Sequence, residues 1–286
     1  MPAVPSVDTA TWIGAFERAA DRVGAVLDAA TDPVRRLEET GERGSGGDRT
    51  LVIDAAAEDE VFVELDALHA AGERFTALSE ERGTVDYGSA DLLVVVDPID
   101  GSMNAKRGLP HRAVSIALAA GPDVATRGTM EDVVCGLVAD FGPGERWTAV
   151  RGGGAFLDGA PLTGPAEERV ADDGRLELVA IESAHPRHVQ ESGEALLAHV
   201  HRLRAIGAIA LSLCQVAAGR VDGMASLWRC RAVDAAAAQL VVRESGGLVA
   251  FGDLGLAAPL DLAPHAPVVA ARSATGLARV AELPHP

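Results

Sequence analysis

The hydrophobic positions of the chain change period several times, and each change marks an element. From Thr9 to Ala30, Trp12, Phe16, Ala19, Val23, Val26 and Leu27 recur at helical spacing, which predicts an amphipathic opening helix with Asp8 or Thr9 as its cap. A second helical pattern follows LVID at 51–54 and carries Val61, Leu65 and Leu68 until Gly72. FTAL at 75–78 predicts a short strand, and the unbroken apolar run from Leu92 to Val96 a buried one. Ala113–Ala119, Val133–Ala139, Trp147–Val150 and Ala155–Leu157 predict further strands separated by Gly-Pro and Gly-Gly signals, hence a largely antiparallel sheet without crossover helices. From 176 onward the pattern alternates: a strand at 176–181, a helix near 188–199, a strand toward Gly207, a helix at 208–218, an extended stretch at 221–226. A helix at 234–244 follows, then extended segments at 247–251 and 267–271 and a closing helix. This order predicts an N-terminal α+β lobe over 1–174 and a C-terminal α/β lobe over 175–286.

Composition narrows the function classes. With 286 residues and 48% hydrophobic content the chain can bury a large core. A formal charge of −17 without any polybasic run disfavours a nucleic-acid partner, and an acidic protein handling an anion needs a metal to reverse its local field. Cys135, Cys214 and Cys230 are odd in number and widely spaced, which argues against a disulfide framework and a zinc site and fits a reducing cytoplasm. No basic segment leads into an apolar stretch near the start, and no run of about 18 uncharged apolar residues occurs, so neither export nor a membrane span is expected.

Candidate chemistry gathers where the strand at 92–96 ends, in LLVVVDPIDGSMNAKRG. Asp97 and Asp100 stand three residues apart around Pro98 and repel one another unless a cation lies between them. Upstream, Ser79-Glu80-Glu81 again places carboxylates at a strand's end; alone it reads as an acidic helix start. Asp234, in RAVDAAAAQLVVRESGG, reads alone as a helix N-cap. Together Glu80, Asp97, Asp100 and Asp234 form a hard oxygen donor set, which selects magnesium, manganese or calcium. Few carboxylates around an open site suit magnesium whose remaining ligands come from phosphate. A helix starting at Gly101-Ser102-Met103 would offer free amides to the same anion. The glycine-rich loop GERGSGGDRT at 41–50, beside Asp54, is a connection or a substrate-covering lid. The Asp-x-x-Asp spacing speaks against the haloacid-dehalogenase type of phosphatase, whose nucleophile sits in Asp-x-Asp.

The run VDPIDGSMNAKRGLP resembles the DPxDGTxN signature of the inositol monophosphatase and fructose-1,6-bisphosphatase superfamily of lithium-sensitive, magnesium-dependent phosphatases. Glu80-Glu81 resembles its upstream acidic motif, VDAAAAQLVVRESGG its WDxAAxxLIxxEAGG motif, and Asp54 in TLVID the Asp of its T-x-x-D element, all in the family's order. The flavour is that of the archaeal and actinobacterial subgroup, whose members often accept both inositol phosphates and fructose bisphosphate. The resemblance implies an α-β-α-β-α layered sandwich and a cytoplasmic homodimer that hydrolyses a small phosphorylated sugar or cyclitol. It implies two to three Mg2+ ions, with Mn2+ as a substitute, on Glu80, Asp97, the Ile99 carbonyl, Asp100 and Asp234. Gly101 and Ser102 amides would hold the phosphate, and Ser102, Asp54 and Glu81 would serve the attacking water. Arg204, Gly207, Ala208, Leu227, Arg229 and Arg231 fall on the substrate side. Leu227 replaces the Glu of inositol-specific members, which with Arg229 and Arg231 favours a second phosphate on the substrate. Ala105 and Val233 stand where the family has aromatic residues. A nucleotide substrate and a catalytically idle, regulatory member are the remaining readings.

Overall fold

The computed structural model describes residues 7–30, 32, 37–45 and 49–285. In chain order the elements are α1 (Thr9–Ala29), β1 (Glu39–Arg43), β2 (Arg49–Leu51), α2 (Val52–Ala70), β3 (Thr76–Ser79), β4 (Gly83–Asp86), β5 (Leu92–Asp100), α3 (Ser102–Arg107), β6 (Ala113–Ala120) and α4 (Val124–Arg127). There follow β7 (Val133–Asp140), β8 (Arg146–Val150), β9 (Gly154–Leu157), β10 (Ala160–Pro161), β11 (Leu176–Glu182), α5 (Pro186–Glu191), α6 (Gly193–His199) and β12 (Val200–Arg204). The chain closes with α7 (Ile209–Ala217), β13 (Gly223–Ser226), α8 (Ala236–Glu244), β14 (Leu248–Phe251), β15 (Val268–Ala271) and α9 (Ala274–Ala281).

Eight strands form one sheet in the order β10-β9-β8-β7-β6-β5-β3-β4, and five form another in the order β12-β11-β13-β15-β14. The first is antiparallel except where β3 runs parallel to β5; the second is mixed. The side chains of β5 sort the layers, because successive residues of a strand face opposite sides. Val94 and Val96 join a core with Trp12, Phe16 and Val23 of α1 and Val61 and Leu65 of α2. Leu93 and Val95 face the other way, into a core with Leu211 of α7, Leu240 of α8 and Met224 and Val268 of the second sheet. The outer face of that sheet packs Val179, Ile181 and Val269 against Leu196 of α6 and Val280 of α9. The result is helix, sheet, helix, sheet, helix, the layered α/β sandwich expected. Both central layers are apolar on both faces, and each fully buried Val, Leu or Phe contributes about 1.5–3 kcal/mol by leaving water. Among the described residues no helix is long and apolar enough to cross a membrane.

Three boundaries differ from the sequence pattern. β5 does not end before Asp97 but runs through Asp100, with a register shift against β6 between those two acids. Pro98, which has no amide to donate, is accommodated in that irregular stretch. The helix expected near 188–199 is two, α5 and α6, meeting at Ser192. α8 begins at Ala236, two residues after Asp234, whose carboxylate instead accepts the amide of Arg231 upstream at 2.8 Å. Of the glycine-rich loop, 46–48 lie outside the described residues; on either side of it β1 and β2 form an antiparallel pair.

Candidate active site

Register explains why two separate motifs meet. In the parallel pair β3–β5, Ser79 lies opposite Val96, so Glu80 and Asp97 follow side by side at the same end of the pair. The turn between β3 and β4 carries Glu80 and Glu81, closed by Gly83 in the left-handed region. This turn is tied down by Glu58 of α2, a nearly inaccessible residue. Its carboxylate accepts the Ser79 hydroxyl and the amides of Glu81 (3.3 Å) and Arg82 (3.1 Å), and pairs with the Arg82 guanidinium at 3.2 Å. Thr50 donates its hydroxyl to the Glu81 carboxylate, and the Ser45 amide donates to the Glu81 carbonyl at 2.9 Å.

The bulged end of β5 supplies Asp97, Ile99 and Asp100. Asp97 accepts the Ile99 amide at 3.0 Å. Asp100 reaches across to α7, where one oxygen accepts the Ile209 amide (3.0 Å) and the other the amides of Ala210 (2.9 Å) and Leu211 (3.3 Å). A carboxylate on the free amides of a helix's first turn is favoured by the helix dipole and ties the two sheets together through α7. Gly101 has φ +86° and opens α3; a Cβ there would come within 2.7 Å of the His111 carbonyl, so only glycine fits. The Ser102 hydroxyl donates to the Ile99 carbonyl at 2.9 Å.

These elements enclose a cleft of about 870 Å3. Its walls include Asp54, Glu80, Glu81, Asp97, Ile99, Asp100, Gly101, Ser102, Gly207, Ala208, Arg229, Arg231 and Asp234. Two of the expected substrate-side residues are not there. Leu227 is buried in the core behind the second sheet, and the next residue, Trp228, faces the cleft in its place. Arg204 lies at the exposed end of β12, its guanidinium donating to the Leu203 carbonyl at 2.8 Å. Ala105 and Val233 are likewise core residues. Sequence reasoning missed Glu58, Asn104, Lys106, Glu182 and Trp228. Glu182 had a visible signal, an acid closing the apolar run LELVAI.

The electrostatics are those of crowded acids in a poorly hydrated place. Burial, then the charges of Glu80, Asp100 and Asp234, raise the Asp97 carboxyl well above its ordinary value. Burial, then Asp234 and Glu182, do the same to Asp100. Glu80 is pushed up to about 7, by burial first and by Asp234 and Glu81 after it, against the opposing charge of Arg231. Asp54, in the first turn of α2, is also pushed to about 7, by burial and then by Glu81. Its Oδ1 is buried with no hydrogen-bond partner among the described residues. An unpartnered carboxylate oxygen beside four mutually repelling acids fits a hard divalent cation, since cation binding would relieve both conditions. Among the described residues no three acidic, histidine or cysteine side chains already converge as a cage. Arg231 stands between Glu80 and Asp234, and Asp97 and Asp100 spend oxygens on amides.

Comparison with known proteins agrees. The profile of the inositol monophosphatase family matches residues 8–283. The chain belongs to the inositol monophosphatase family. Among its relatives, a fructose-1,6-bisphosphatase/inositol-1-monophosphatase of Methanothermobacter thermautotrophicus is 32% identical over 247 residues, 83% of each chain. The Nus factor SuhB of Escherichia coli is 34% identical over 218 residues, 74% of each. The extragenic suppressor protein SuhB of Bartonella henselae has the same fold, with a TM-score of 0.76 at 27% identity over 95% of this chain and 98% of that one. Family membership makes the chain a phosphoric monoester hydrolase of the metal-dependent kind, typically using Mg2+.

Proposed function

We propose that the cleft hydrolyses a small cyclitol or sugar phosphate, with inositol-1-phosphate as the first substrate and fructose-1,6-bisphosphate as a close second or joint one. The observation that carries this reading is that Glu80, Asp97, Asp100 and Asp234 line one cleft together with the turn at Gly101–Ser102 and with Asp54, whose buried Oδ1 has no hydrogen-bond partner among the described residues. Glu80, Asp97, the Ile99 carbonyl, Asp100 and Asp234 would hold two to three magnesium ions once Arg231 yields. Magnesium supplies the charge that offsets the phosphate and lowers the pKa of the attacking water.

The chain's own groups do the rest. The Gly101 and Ser102 amides hold the phosphate oxygens. Ser102, whose hydroxyl donates its hydrogen bond to the Ile99 carbonyl, offers its oxygen as acceptor to the attacking water and so orients it. Asp54, with a free acceptor and a carboxyl pushed to about 7, takes the proton near neutral pH, and Glu81 supports it through the shared field. Gly207 and Ala208 face the leaving alcohol, and Arg229 is placed for a second anionic group at the cleft mouth. Phosphate release from inositol-1-phosphate and fructose-1,6-bisphosphate, assayed side by side with Mg2+, tests the reading; silence on both overturns it. The same reading carries a cytoplasmic location and a homodimer, the latter checked by light scattering of the purified chain.

A second reading has its own observation. The relatives named Nus factor SuhB cover 74% of the chain or more, so a regulatory protein that does not depend on turnover is the alternative. An Asp97→Asn chain that loses hydrolysis yet keeps its biological effect would favour it.

A further inference from the structure

Glu182 closes β11 at the floor of the cleft, 2% exposed. One carboxylate oxygen accepts the Ile206 amide at 3.1 Å and the Ser212 hydroxyl at 2.6 Å; the other accepts the Gly207 amide at 2.9 Å. The carbonyls of the same turn are held from the opposite side. Asn104 of α3 donates to the Ile206 carbonyl at 2.9 Å, while also bonding the His111 carbonyl at 2.9 Å. Gly207 has φ +80°, and a Cβ there would come within 3.0 Å of the Asn104 amide, so the turn is seated closely against α3. Its next residue, Ala208, packs against the Gly101 turn: a Cβ on Gly101 would lie 3.3 Å from that of Ala208. The wall at 206–208 is thus clamped by Glu182 from the end of β11 and Asn104 from α3, and packs against Gly101.

We propose that Glu182 is a positioning residue that sets the Gly207–Ala208 wall against the phosphate-side turn, and through it the fit of the substrate's leaving alcohol. This rests on the phosphatase reading of the cleft and adds a residue to it. The chemistry of the clamp suits a carboxyl group: two N–H groups and one O–H all point at its oxygens, so three donors are matched by acceptors. A glutamine keeps the shape but turns an N–H2 toward an N–H, so at least one bond becomes a donor–donor contact and the wall must shift. The phosphate itself would be held elsewhere, by the Gly101 and Ser102 amides and by the magnesium that the acids of β5 would hold, so a shifted wall should be felt by the alcohol and not by free phosphate.

The experiment compares the full-length chain with Glu182→Gln and with the milder Ser212→Ala, in saturating Mg2+. The substrate is whichever of inositol-1-phosphate and fructose-1,6-bisphosphate the parent turns over faster, and inorganic phosphate is the competitive inhibitor. Expected are a KM raised about 10-fold in Glu182→Gln and about 3-fold in Ser212→Ala, with kcat within 2-fold and the inhibition constant of phosphate within 2-fold of the parent. KM unchanged in both variants while the melting temperature falls would reduce Glu182 to a structural role and overturn the proposal. So would a phosphate inhibition constant that rises in step with KM, because the effect would then run through the metal side. A parent silent on both substrates is a failure of the phosphatase reading, seen before any variant is made, and takes this proposal with it.

Discussion

The guanidinium of Arg231 lies 2.7 Å from Glu80 Oε1 and 3.3 Å from Asp234 Oδ1, so one arginine bridges acids contributed by the two halves of the chain. All three side chains are less than one-fifth exposed, and the cation offsets repulsion that would otherwise grow between the carboxylates. Arg231 therefore competes with a divalent ion for these two acids. Arg231→Ala should bind Mg2+ on the order of tenfold more tightly, about 1.4 kcal/mol, by isothermal titration. The metal-free variant should melt below the parent. An affinity that stays equal or weakens would mean that the guanidinium serves the metal site instead of competing with it.

Asp97 sits where the charges of Glu80, Asp100 and Asp234 meet, and burial leaves it no water to share them with. Asp97→Asn removes one of those charges without changing volume. The metal-free protein should melt at the parent's temperature or above it, and Mg2+-dependent phosphate release should fall by ~10^2–10^3-fold or more. Retained turnover would remove Asp97 from the ligand set.

How much of this could be read from the chain depends on distance along it. Asp97, Asp100, Gly101 and Ser102 are contiguous, and an apolar run ending in Asp-Pro declares a strand end without knowledge of the rest. Glu80 and Asp234 look like a turn acid and a helix cap by themselves; only their order within a family pattern joined them, because the β3–β5 register and the α8 packing are long-range facts. Glu58, Asn104 and Glu182 escaped notice since their work is to bond backbone groups distant in sequence, which no local pattern reports. Leu227 shows the reverse failure. Its position implied a cleft contact, yet the chain leaving β13 turns it into the core and presents Trp228, a choice of side that sequence spacing cannot fix once a strand ends.

The pH dependence follows from three raised carboxyls. Asp54, Glu80 and Glu182 each titrate near 7 in the folded chain, burial being the main cause in each, and near the ordinary carboxylate range when unfolded. The folded state then binds more protons between about pH 4 and 7, so its stability is greatest at the acid end of that window and is lost as pH rises through 7. Metal-free protein should melt lower at pH 8 than at pH 5, by ~5 °C or more. Saturating Mg2+ should flatten or reverse the trend, because a bound cation favours the ionised forms. A metal-free melting temperature that rises from pH 5 to 8 would contradict the raised values.

Arg229 is the residue we expect to separate the two candidate substrates. It is exposed at the cleft mouth, its guanidinium 6.0 Å from the ring centroid of Trp228, and that ring is stacked on His188 at 4.7 Å with the planes 5° apart. The stack limits where the guanidinium can go without burying it, which is what an anion arriving from solvent requires. A charge-assisted bond to a second phosphate contributes about 1.5–3 kcal/mol, so Arg229→Ala should raise KM for fructose-1,6-bisphosphate about 10- to 100-fold. Inositol-1-phosphate, whose only phosphate would go to the Gly101 turn, should change by less than about 2-fold. Equal effects on both substrates would place Arg229 on the general field of the cleft. A loss confined to inositol-1-phosphate would assign it to the cyclitol hydroxyls and make the monophosphate the better account of this site.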